Sequence, residues 1–73
     1  MEDYKIRFIK EFKELNERRI KLEKMLVKYR SGTLDFTPTC PIHLLERQLY
    51  VMELYEDILR KRAFLEGVDL WIV

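Results

Sequence analysis

Three arginines and a tyrosine stand out from the helical pattern of the first thirty residues: Tyr4, Arg7, Arg18 and Arg19. Phe8, Phe12, Leu15, Arg19, Leu22, Leu26 and Tyr29 recur at alternating spacings of four and three, the period of a helix seam, and Arg19 stands where that period calls for an apolar side chain. A guanidinium there has two readings. Either it forms an interhelical ion pair or snorkels outward, setting register or oligomer state; or, with Arg18 beside it, it faces a subunit interface and grips phosphate through the bidentate fork that lysine lacks. Tyr4 likewise is either a helix-end aromatic packed on the C-terminal tail or a platform on which a base stacks.

Tyr4 and Arg18 share roughly one helix face, but at 1.5 Å per residue they lie about 21 Å apart, too far for one small ligand within a chain. Two chains solve the distance. If helix 1 packs antiparallel on its symmetry mate, Tyr4 of one subunit approaches Arg18 of the other across an isologous interface. Arg7 lies one turn from Tyr4 and belongs with it. Lys10, Lys21, Lys24 and Lys28 are most simply a solvated basic face, supported along the helix by Glu11, Glu14 and Glu17.

Catalytic chemistry has no comparable signal. The sequence contains no Ser/His/Asp constellation, CxxC, P-loop or HExxH, and Cys40 and His43 have no companion ligands, so both read as capping or packing residues with no metal and no cofactor. Glu56 and Asp57 read as surface and Tyr55 as core.

The elements that hold these residues are legible. From Asp3 to Arg30 there is neither Gly nor Pro; Glu2 and Asp3 suit a helix N-terminus, Lys28 and Arg30 its C-terminus, and Ser31-Gly32 ends it. Residues 31–40 (SGTLDFTPTC) form a loop, with Leu34 and Phe36 tucked onto the end of the hairpin. A second helix over about 41–66 opens with Pro41 at its first position and Thr39 or Cys40 as cap, and stops at Gly67. Leu45, Leu49, Met52, Leu59 and Ala63 form its inner stripe. Val51, Tyr55 and Ile58, widened by Tyr50, Leu54, Phe64 and Leu65, form a second stripe too broad for one partner helix. The solvent face is Glu46, Glu53, Asp57 and Arg60/Lys61. The tail 67–73 is apolar enough to dock on a neighbour or add a short strand. The fold class is therefore all-α: one domain over residues 1–73, a two-helix antiparallel hairpin assembling into a homo-oligomeric bundle.

Size supports that assembly, because a single core in 73 residues supplies only about 3–5 kcal/mol, and one Cys with one His makes neither a disulfide nor a structural zinc site. Charge narrows the ligand. Residues 1–30 carry ten Lys/Arg against six Asp/Glu, and residues 31–73 four against seven, for a net +1. That asymmetry fits either helices of opposite sign pairing with each other or an anionic ligand held by the first half, and duplex nucleic acid calls for a more basic domain. With no signal-peptide core and no run of 18 apolar residues, a soluble cytoplasmic protein without membrane contact is expected.

The order of residues also resembles a family of small phage helical-hairpin proteins, crAss-like phage related, that includes anti-CBASS sponge proteins. The residues carrying the likeness are Tyr4, Arg7, Glu14-Leu15, Arg18 and Leu22-Glu23-Lys24, then Arg47-Gln48-Leu49, Met52, Tyr55, Ile58-Leu59, Arg62 and Gly67-Val68. The resemblance implies a hexamer that sequesters cyclic dinucleotide or cyclic trinucleotide messengers between protomers in an infected bacterial cell, without cleaving them. It also implies that Tyr4 stacks on a base and Arg18 pairs with phosphate. Arginine at position 18, the Thr/Pro-rich loop and the apolar tail depart from the family pattern. A coiled-coil protein-interaction module with no nucleotide ligand is the alternative. A small helical enzyme clamping a dicarboxylate has no matching signature.

Overall fold

The computed structural model describes residues 3–71. The expected helix-start role of Glu2 and the last two tail residues, Ile72 and Val73, lie outside that range. Two helices account for the architecture: α1 over Asp3–Ser31 and α2 over Ile42–Glu66. They run antiparallel, because their contacts move in opposite directions along the chain. Arg30 meets Glu46 near the loop, Arg19 meets Glu56 midway, and Phe8 meets Arg62 at the open end.

The helix ends obey local rules. Asp3 opens α1 and Lys28 and Arg30 close it, each on the favourable side of the helix dipole. Gly32 then takes the left-handed conformation at φ 75°. Its N–H donates to the Tyr29 carbonyl at 3.1 Å and the Thr33 N–H to the Lys28 carbonyl at 2.9 Å, the paired bonds of a Schellman stop. At the end of α2, Gly67 does the same at φ 70°, with its own N–H directed to the Ala63 carbonyl. The Val68 N–H reaches that carbonyl at 2.8 Å.

The start of α2 differs from expectation. Pro41 is the cap itself and lies outside the helix at ψ 138°, so neither Thr39 nor Cys40 caps it, and no side chain does. Its carbonyl accepts from the N–H groups of Leu44 and Leu45 at 3.1 and 3.3 Å. The fixed φ of Pro41, −56°, suits the entry of the chain into the helix.

The core lies at the open end, where Phe8, Phe12 and Leu15 of α1 meet Leu59 and Ala63 of α2, with Ile9 and Met52 packed alongside. The tail completes it. Val68 and Leu70 are buried in the same cluster, and the Trp71 ring stands edge-on to Phe12 at 5.7 Å between centroids. Val68 and Leu70 of the described tail therefore dock on their own hairpin, and the described tail forms no strand. The reason is the left-handed turn at Gly67, which reverses the chain over the end of α1. At the loop end only Leu26 is fully buried; Leu34 is half-buried, whereas Phe36 remains 55% exposed and is not tucked in.

Candidate functional site

Arg19 and Arg18 are neighbours with different surroundings. Arg19 points into the seam, where its Nε donates to Glu56 Oε1 at 2.6 Å and its Nη1 to Glu23 Oε2 at 2.8 Å. Glu56 is 1% exposed, so the expectation of a surface carboxylate is corrected: it is the most deeply buried charge among the described residues. Three donors make that burial tolerable, since Arg60 Nη2 at 3.1 Å and Asn16 Nδ2 at 3.4 Å join Arg19 on the same carboxylate. The hydrogen bond to Glu56, opposed by desolvation, raises the Arg19 pKa above its ordinary value. A raised arginine pKa leaves the pair fully formed below that ordinary value and open to loss only at still higher pH, so Arg19 adds no pH dependence near neutrality.

A signal for Glu56 was present in the sequence. The inner stripe of α2 jumps by seven positions from Met52 to Leu59, and position 56 fills the gap as position 19 fills the seam of α1. Arg19 thus occupies the interhelical ion-pair position that its seam register allowed. Its cationic charge is already faced by two carboxylates.

A second cluster sits at the open end. Tyr4, Arg7, Phe8, Glu11 and Arg62 line a cleft of about 150 Å³. Tyr4 is 38% exposed and meets Phe8 edge-on, 6.3 Å between centroids at 76°. Arg62 lies over the same Phe8 ring, its guanidinium carbon 4.8 Å from the centroid, and pairs with Glu66 at 3.0 Å. Arg7 has no carboxylate within ion-pair distance among the described residues. The Tyr55 hydroxyl donates to Glu11 Oε2 from the facing helix. Tyr55 is 39% exposed, which corrects its assignment to the core.

Of the four residues singled out in the sequence, this cleft brings together Tyr4 and Arg7 only. Arg18 is exposed on α1 and lies 3.7 Å from Glu14, which also approaches Lys10 at 4.0 Å. Arg62 was missed because it sits on the other helix, at a position whose pattern reads as ordinary surface. An aromatic face beside two cations, one of them without a carboxylate, can stack a base and hold a phosphate.

The outer face of α2 is the remaining feature. Leu44, Tyr50, Val51, Leu54, Ile58, Phe64 and Leu65 are all at least 46% exposed within the single chain. An apolar groove of about 420 Å³ lined by Arg60, Lys61, Phe64 and Leu65 marks its C-terminal end. No helix among the described residues is long and apolar enough to cross a membrane.

Compared with known proteins, residues 2–65 match a family model described as Sequestin. No curated protein and no solved structure matches the chain.

Proposed function

The chain belongs to the Sequestin family, and from that premise we propose that it is a phage anti-defence sponge, binding cyclic oligonucleotide second messengers of the CBASS type and holding them uncleaved. Membership implies sequestration of a ligand and not its turnover, in agreement with the resemblance read from the sequence. The observation that carries the ligand class is the open-end cleft, which Tyr4 lines together with Arg7 and Arg62. A cyclic dinucleotide or trinucleotide presents both bases and phosphates, and a sponge needs no group that attacks either.

The proposed site is shared between chains. One protomer supplies Tyr4 and Arg7, and an antiparallel neighbour brings Arg18 to the phosphate, while Arg19 holds the hairpin together through Glu56. A homo-oligomer, with a hexamer as the proposed state, uses the exposed apolar face of α2 as its contact surface; leaving that many large side chains in water is unfavourable for a lone hairpin. The proposed location is the cytoplasm of the infected bacterial host, where the messengers are made.

Thermal unfolding of the purified protein against a panel of cyclic dinucleotides, cyclic trinucleotides and cyclic ADP-ribose isomers tests this reading, since ligand at 100 times its Kd adds about 2.7 kcal/mol. A large shift with one class and recovery of intact nucleotide are expected. No shift with any member overturns the reading and favours the second one, a protein-interaction module, to which the same apolar face of α2 would belong.

A further inference from the structure

Glu11 is the acidic group of the open-end cleft, and a site for an anionic ligand has to account for it. A carboxylate beside phosphates repels them. Its partner across the hairpin is the Tyr55 hydroxyl, and among the described residues no ion pair joins it to Arg7 or Arg62. Arg7 stands four residues before it on α1, the spacing at which helix ion pairs form, yet this pair is not made. Tyr55 does something else. Its hydrogen bond uses one of about four acceptor positions on the carboxylate and fixes the direction of the rest.

A fixed carboxylate next to an aromatic stacking face is suited to a base edge that carries two adjacent N–H donors. Guanine has such an edge in N1–H and N2–H. Adenine presents the N1 lone pair there, which a carboxylate repels, and uracil places a single N–H between two carbonyl oxygens. We propose that Glu11, oriented by Tyr55, selects the base in this cleft by accepting both donors of a guanine stacked on Tyr4, so that the site prefers guanine-containing cyclic oligonucleotides. This assignment rests on the reading of the cleft as a nucleotide site. Glu11 contacts the base directly, and Tyr55 is a positioning residue that acts through it.

The test is calorimetric titration of the intact protein with cyclic di-GMP and cyclic di-AMP of the same linkage, a pair that differs only in the base. Wild type is expected to prefer cyclic di-GMP by roughly 5- to 150-fold, the span of one good bidentate base contact. Glu11→Gln removes the negative charge and so raises affinity for both ligands; the ratio is therefore the readout, and it should fall or invert, because a carboxamide matches adenine. Glu11→Asp keeps the charge but not the reach, and should lower the ratio without raising affinity for cyclic di-AMP. Tyr55→Phe should lower it partway. Equal wild-type affinities, or a preference that Glu11→Gln leaves unchanged, overturn the base assignment and leave the phosphate-binding reading standing. Binding of neither ligand or of any other cyclic oligonucleotide overturns both.

Discussion

Two places in this hairpin are built from the same parts and do opposite things. At the middle of the seam, Arg19 and Arg60 surround Glu56, with Arg60 lying 5.4 Å from the centroid of Phe12. At the open end, Arg7 and Arg62 stand near Glu11, with Arg62 lying 4.8 Å from the centroid of Phe8. The difference is burial. Glu56 is 1% exposed and all three of its donors point at its carboxylate, so its arginines are committed to it. Glu11 is exposed and takes a neutral hydroxyl, which leaves Arg7 with capacity for a ligand, while Arg62 pairs with Glu66. Arginine in a helix pattern is thus a structural part where a carboxylate is buried with it, and in the proposed reading a binding group where none is.

Substitutions can break that contrast, and the largest effect is expected where the seam meets the core. Phe12 is fully buried and carries both Arg60 and Trp71 on its ring, so Phe12→Ala should cost about 3–5 kcal/mol in chemical denaturation. Glu56→Ala leaves Arg19 and Arg60 facing each other without their carboxylate. A loss of about 3 kcal/mol is expected by the same measurement, at the low end of the range for buried pairs because Arg19 keeps 20% of its side-chain exposure and Arg60 45%. Replacing Arg19 and Glu56 together by leucine should restore most of that stability, or exceed it. If the double variant is instead as unstable as Glu56→Ala, the network contributes more than the pairwise account allows.

The open end should respond in binding and not in folding. Tyr4→Ala is expected to weaken ligand binding by about 1–3 kcal/mol, the worth of one base–aromatic stack, while the melting temperature without ligand changes little. The smallest effect on the free protein should come from Arg18→Ala, below about 0.5 kcal/mol, because its contact with Glu14 is exposed and long at 3.7 Å. In titration with the bound nucleotide the same variant should lose about 1.5–3 kcal/mol. A loss of the oligomer in either variant would place these residues in the assembly and not in the site.

How far the sequence reaches can be seen residue by residue. Gly32 and Gly67 were legible as helix stops because a left-handed residue is a local requirement that a glycine answers wherever it sits. The seam of α1 was legible because a period of alternating fours and threes is written into one continuous segment, and the oddity of Arg19 followed from it. Membership of a phage hairpin family was legible from residues spread over both helices.

Other features depended on how distant segments meet. Glu56 became a core residue, and Tyr55 an exposed partner of Glu11, only when the loop set the register of α2 against α1. Arg62 entered the cleft for the same reason, lying on Phe8 from the opposite helix. The tail carried enough apolar character to predict burial, yet not its address, since Val68 and Leu70 reach their own core only after the turn at Gly67. Local conformation and periodicity are properties of neighbouring residues, so the sequence alone determined the two helices, their glycine stops and the unusual seam arginine. Which cations are neutralised depends on contacts between residues some forty positions apart, and only the packing of one helix on the other decided that.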